Sequence, residues 1–284
     1  MKKHKPWDRQ EAQRRRLRYW LLLYLYIFLY LALYLALPTS QAALWFGYLL
    51  PLLTMFVATV TTGQACQAAG WNPRGLWFWL FLGAGLWLSA EIAWWIQDVL
   101  LAAAPDLSVA DLLWIAGYGV IVAAILSHQR ALPADGASRW GRRILVGAAL
   151  ASLGVFLALL WPAFYEGKLR GGLTTVVTAS YPALDIFLAG GGVVMFFVSR
   201  RGNIWYSSWL FVGGAFLLWA FSDVWYWILI YIGGYGNNVR SMISVDIPDT
   251  LGNLFLSFAA WEWLSGSSTP VDEPGDSYME VHDE

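Results

Sequence analysis

The chain has 284 residues, 58% hydrophobic and 13% charged, with a mean hydropathy of +0.52 and a formal net charge of -1. That balance excludes an ordinary soluble domain, and no polar segment is long enough to fold as one outside a bilayer. Its single cysteine, Cys66, excludes an internal disulfide and any cysteine-based metal site.

Residues 1–16 form a basic arm; with Arg18 the segment before the first apolar run carries eight Lys or Arg. The positive-inside rule places the arm in the cytoplasm, where it also touches anionic lipid. No folded reader of nucleic acid accompanies this charge, so nucleic acid is not expected as a partner. The first apolar run is too long for a cleavable signal, and Pro38-Thr-Ser-Gln is an unconvincing cleavage site.

Apolar runs near the roughly 20 residues needed to span a bilayer follow in series. The first covers 17–37, carries Tyr26, Tyr30 and Tyr34 on one face, and ends at Pro38. The second, 43–62, contains Pro51, a kink that membrane helices tolerate when neighbours compensate. The third, 76–96, holds W-L-S-A-E-I-A-W-W at 87–95, which puts Trp87, Glu91 and Trp95 on one helical face. Ser108-x-x-Asp111 is a capping-box pattern that starts the fourth span near Val109, with its end near Ser127. A polar loop, 128–143, links the halves. The fifth span covers 144–161 and the sixth 174–199, with Tyr181-Pro-Ala-Leu-Asp185 in its first half. The seventh, 205–232, carries Trp219, Asp223 and Trp227 at the same spacing as the third. Asp246-Ile-Pro-Asp249 reads as the start of a short eighth helix ending near Leu264. The remaining residues, 265–284, form an acidic cytoplasmic tail expected to be disordered.

These elements predict an all-α polytopic membrane protein of eight transmembrane helices, arranged as two parallel four-helix repeats. The repeats are 17–127 and 144–264, with both termini cytoplasmic in the plasma (inner) membrane. Alternate loops place fifteen of the eighteen Lys and Arg on one side. The order of features repeats as well. Pro38 and Pro162 end the first spans, and Pro51 and Pro182 kink the second. Trp77, Trp87, Glu91 and Trp95 align with Trp209, Trp219, Asp223 and Trp227 at a constant offset of 132 residues, while Asp111 and Asp249 open the fourth spans. Repeats with an even number of spans are parallel, and a central site falls where they meet.

Glu91 lies roughly 22 Å along its helix and Asp185 roughly 16 Å along its own, at 1.5 Å per residue. The acids thus converge on the outer half, with no Lys, Arg or His expected at that depth. An ionisable group at such depth points to function by default. Glu91, Asp185 and Asp223 equally suit a protonated, hydrogen-bonded structural role, and Asp111 and Asp249 suit helix capping. Trp7, Trp45, Trp71, Trp140 and Trp161 fit interfacial belts, whereas Trp87, Trp94, Trp219 and Trp225 lie deeper. Carboxylates beside indoles without cations suit a cationic ligand, since the indole face attracts the cation and the acid neutralises it. The candidate ligand site is Glu91, Asp185 and Asp223 with Trp87, Trp95, Trp219 and Trp227, joined by Asp111, Asp249 and Tyr181. No catalytic residue, metal site or cofactor is expected. No span holds the lysine that a microbial rhodopsin needs, and haem and zinc sites need His or Cys.

Two segments, Leu107-Ser-Val-Ala-Asp-Leu-Leu-Trp-Ile-Ala-Gly-Tyr118 and Tyr181-Pro-Ala-Leu-Asp-Ile-Phe-Leu188, carry a resemblance. They are similar to motifs in the multi-span N-terminal sensor regions of prokaryotic signalling proteins that carry diguanylate cyclase or phosphodiesterase domains. The resemblance implies a membrane-embedded input module, with Ser108, Asp111, Tyr118, Tyr181, Pro182 and Asp185 as the matched positions. These 284 residues contain no such effector domain, so signalling would pass through a cytoplasmic partner. A small secondary transporter or channel, with Glu91, Asp185 and Asp223 binding a cation or proton, is the alternative. A membrane enzyme or assembly factor is the third.

Overall fold

The computed structural model describes residues 6–36, 41–101, 107–131, 136–165, 172–198, 206–234 and 239–267. All secondary structure in them is helical: α1 (Pro6–Ala36), α2 (Gln41–Ala68), α3 (Leu76–Trp95), α4 (Val109–Ala131), α5 (Gly136–Tyr165), α6 (Gly172–Val198), α7 (Tyr206–Tyr231) and α8 (Val239–Ser267), with a π-helical turn at Ile96–Leu100 extending α3. Six helices, α2 to α7, are long and apolar enough to cross a membrane, which is the character of a multi-pass membrane protein. In α1 only a shorter apolar stretch, Leu17–Ala32, qualifies as membrane-like.

The remaining helix, α8, is long but polar, because it carries Asp246, Asp249, Asn253 and Glu262. Its polar side chains are turned inward: Thr250, Asn253 and Ser257 are buried. These polar groups are thereby satisfied inside the bundle.

Three boundaries differ from those expected from sequence. The loop expected over 128–143 is mostly helix, since α4 runs to Ala131 and α5 starts at Gly136. The basic arm is helical from Pro6 onward. Most consequentially, α8 starts at Val239 and runs through Pro248, so Asp246 and Asp249 do not cap its first turn. Contacts with α7 hold the extra turns: Ser222 Oγ donates to the Val245 carbonyl at 2.7 Å, and Trp225 Nε1 donates to Ser244 Oγ at 2.8 Å. The acidic tail beyond Ser267 lies outside the described residues.

In the bundle α3 packs against α2 and α4, and α7 packs against α6 and α8, while α2 also lies along α8. α1 rests on α8 more than on α2. Tyr19 stacks on Phe258 at 4.9 Å, and the fully buried Tyr30 donates to Asp246 Oδ2 at 2.9 Å. Tyr26 and Tyr30 of the stripe read from sequence thus lie on the face that docks α1. α5 packs mainly on α6, and its Val146, Leu150, Leu153 and Leu157 stay exposed, as a lipid-facing helix requires.

α6 and α7 cross closely at Gly192 and Gly213. A Cβ on either glycine would stand 2.8 Å from the carbonyl oxygen of the other, so small residues set this approach. Gly192→Leu is expected to lower stability by about 1–3 kcal/mol through overpacking. Gly119→Ala, where nothing lies within 4 Å of the added carbon, should leave it unchanged or slightly higher. Thermal unfolding of the detergent-solubilised protein checks both.

Candidate functional site

The third and seventh helices meet through their tryptophans. Trp87 and Trp219 lie 4.8 Å apart at 78°, and Trp77 and Trp209 lie 6.1 Å apart at 26°. Each upper indole is seated on a glycine of the following helix. A Cβ at Gly117 of α4 would overlap the Trp87 ring, and one at Gly252 of α8 would stand 2.5 Å from Trp219 Nε1. Bulky, flat side chains can therefore lie at the centre without forcing the helices apart.

The indole N–H groups do not go to the acids of their own helices. Trp87 Nε1 donates to the Trp114 carbonyl at 3.0 Å, and Trp219 Nε1 donates to Asn253 Oδ1 at 3.0 Å. Asn253 Nδ2 in turn donates to Thr54 Oγ1 at 3.3 Å. The half-buried Glu91 takes its hydrogen bond from α4, where Trp114 Nε1 donates to Oε1 at 3.2 Å. Trp95 and Trp227, at the far ends of the two faces, are half-buried.

Asp185 and Asp223 share one hydroxyl. Tyr118 of α4 lies between them, 2.5 Å from Asp185 Oδ1 and 2.6 Å from Asp223 Oδ2. A phenol carries a single hydrogen, which makes one linear bond. The second short contact needs a proton brought by a carboxyl, which then donates to the phenol oxygen. Asp185 is fully buried, and its carboxyl also lies within hydrogen-bonding reach of the Asp223 carboxyl.

Asp111 does cap α4, as the Ser108-x-x-Asp111 spacing predicts. Asp111 Oδ2 accepts from Ser108 N at 2.7 Å and from Ser108 Oγ at 2.9 Å, and Asp111 N donates to Ser108 Oγ at 3.3 Å. Its other oxygen, Oδ1, accepts from Tyr181 of α6 at 2.9 Å. The cap therefore also ties α4 to α6. Asp249 sits within electrostatic reach of Glu91, Asp223 and Asp246. Asp98, at the π turn, accepts from Tyr48 of α2. Carboxyls from α3, α4, α6, α7 and α8 thus gather at one end of the bundle among tyrosines and indoles.

No Lys, Arg or His lies between Leu76 and Asp98 or between Ser207 and Leu229. Among the described residues no group of three or more His, Cys, Asp or Glu is arranged to hold a metal ion. Beneath the acids the bundle is closed by rings. Trp87 and Trp219 form one layer with Tyr118, whose ring is 5.1 Å from that of Trp87. Trp77 and Trp209 form a lower layer, with His128 4.9 Å from Trp209 and Trp263 5.6 Å from Trp77. In that layer the Trp77 and Trp209 N–H groups find no acceptor among the described residues.

Trp114, Asn253 and Thr54 were not among the sequence-derived candidates, and Tyr118 entered only through the resemblance. For Thr54 the one available signal was its spacing: it follows a helix proline by three residues, as Asp185 does. The chain matches no family model, no curated protein and no solved structure.

Tyr118→Phe removes the hydroxyl between two carboxyls. It is expected to destabilise the protein by about 1.5–3 kcal/mol, the range for a hydrogen bond to a charged group. Ser108→Ala should cost about 1 kcal/mol as a lost cap. Thermal unfolding in detergent ranks the two.

Proposed function

We propose that the chain is an eight-span membrane protein of two parallel four-helix repeats that works as a sensor-like ligand-binding module. A small organic cation would bind at its outward acidic end. One observation carries this reading: carboxyls from five helices converge there with indoles and phenols, while α3 and α7 supply no basic residue through their spans. Gathering acids is costly in a bilayer, and a bound cation offsets that cost. Indole faces add cation–π attraction, the recognition used for quaternary ammonium groups.

Equivalent contacts in the two halves support the repeat. Trp87 sits on Gly117 as Trp219 sits on Gly252. Tyr118 of α4 bonds Asp185 of α6, as Asn253 of α8 bonds Thr54 of α2. Under this matching Asp111 corresponds to Asp246, in place of the Asp249 expected from the helix-start pattern. The polar α8 and the partly apolar α1 would be the two spans that hydropathy underrates. The two indole layers favour a closed-ended site over a transporter, which needs a polar path to both faces. Binding would shift the packing of α3 against α7, and output would pass to a cytoplasmic partner, as the resemblance to sensor regions implies.

Topology is checked by fusing a reporter that works only in the cytoplasm after residue 134, 169 or 284. Activity is expected at 134 and 284 and absent at 169; activity at 169 removes the eight-span arrangement.

Ligand binding is checked in nanodiscs by titrating tetramethylammonium and following tryptophan fluorescence, with sodium as control. A saturable change is expected with the organic cation alone, weakened by about tenfold or more in Glu91→Gln/Asp223→Asn. A double variant that responds like the wild type sinks the cation site.

A further inference from the structure

The bundle is polarised along its length. Asp111 opens α4 at the acidic end and Arg130 lies in its last turn, roughly 28 Å away at 1.5 Å per residue. That distance is close to the ~30 Å thickness of the hydrocarbon core, so Arg130 stands at the opposite interface. The start of α5 is brought to the same place, because a Cβ on Gly141 would stand 2.6 Å from Gln129 Oε1 of α4. Arg139, Arg142 and Arg143 of α5 therefore share an interface with Arg130, and all four are exposed.

These charges have no acid beside them. Neither α5 nor α4 after Asp111 contains one, and no carboxylate among the described residues pairs with any of the four arginines. Arg143 lies instead over the ring of the exposed Trp140, 5.5 Å from its centroid. Stacking on an indole fixes a guanidinium and leaves its N–H edges free for a pair of phosphate oxygens. The same helix face then turns apolar. Arg139, Arg143, Val146, Leu150, Leu153 and Leu157 follow one another at intervals of three or four residues, and the last four are exposed. From Val146 to Leu157 the stripe runs roughly 16 Å, about the depth of one leaflet. Of the six membrane-length helices, α5 is the least buried.

We propose that this face of α5, together with Arg130 of α4, is a docking site for an anionic phospholipid. The phosphate accepts from the forked N–H groups of the α5 arginines, Trp140 lies at headgroup level, and an acyl chain runs along Val146, Leu150, Leu153 and Leu157. Charge at the interface followed by one leaflet's depth of hydrocarbon is the order of chemistry in a lipid. An acidic peptide would match the arginines and leave the stripe uncovered. The site lies at the opposite end from the gathered carboxyls and does not depend on the cation reading.

The test is native mass spectrometry of the full chain, released from detergent and titrated with phosphatidylglycerol or phosphatidylcholine. The first phosphatidylglycerol is expected to bind about fivefold more tightly than the first phosphatidylcholine, as one added charge contact at a membrane surface allows. Arg142→Gln/Arg143→Gln should abolish the preference, and Arg74→Gln, which removes an exposed arginine between α2 and α3, should leave it. Arg142→Lys/Arg143→Lys keeps the charge without the fork and should lose at least about half of the preference. Equal affinity for the two lipids in the wild type, a preference unmoved by Arg142→Gln/Arg143→Gln, an equal loss in Arg74→Gln, or full retention in the lysine variant each overturns the proposal. Residues 268–284 carry six acids and no Lys or Arg. A preference that emerges only when they are removed assigns the arginines to that segment and overturns the lipid site.

Discussion

One tyrosine hydroxyl stands between the carboxyls of Asp185 and Asp223, and much of the bundle follows from that shortage of donors. Asp185 and Asp223 come from adjacent helices whose apolar stretches contain no basic residue, so their hydrogen bonds are drawn from Tyr118 on a third. Four other acids are treated alike. Tyr30 of α1 serves Asp246, Tyr48 of α2 serves Asp98, Tyr181 of α6 serves Asp111, and Trp114 of α4 serves Glu91. Phenols and indoles bring large apolar bodies and a single polar tip, which lets a bundle bury acids without importing further charge. Each such pair joins two different helices, so the polar groups also fix which helices are neighbours.

Faces within one helix were legible in the sequence. The Trp87–Glu91–Trp95 and Trp219–Asp223–Trp227 patterns lie on α3 and α7 as the 3.6-residue period requires, and the Ser108–Asp111 box caps α4. Partners across helices were not legible. Periodicity says that Trp87 and Glu91 share a face, but Trp87 donates to a carbonyl of α4 while the acid is served by Trp114. Nothing in the spacing of α3 encodes which neighbour supplies the donor. The start of α8 was misplaced for a related reason. Asp246-Ile-Pro-Asp249 has the local chemistry of a helix start, but bonds from Ser222 and Trp225 of α7 carry the helix back to Val239. Packing against a neighbour overrode a local signal.

The two halves, matched as proposed, are not chemically equal. Thr54 and Asn253 occupy the places that Asp185 and Tyr118 hold across the pseudo-axis. A pair without a carboxyl stands opposite a pair that has one. Uncharged groups keep α2 and α8 together at little electrostatic cost.

The crossed indoles at the centre have an optical consequence. Trp87 and Trp219 are 4.8 Å apart and nearly perpendicular, close enough for their transitions to interact, and they belong to the two helices that meet at the core. Near-ultraviolet circular dichroism responds to fixed aromatic packing of this kind and fades when that packing loosens. A slide or rotation of α3 against α7 would alter the signal with no label attached, so the chain carries its own chiroptical gauge of how its halves are seated.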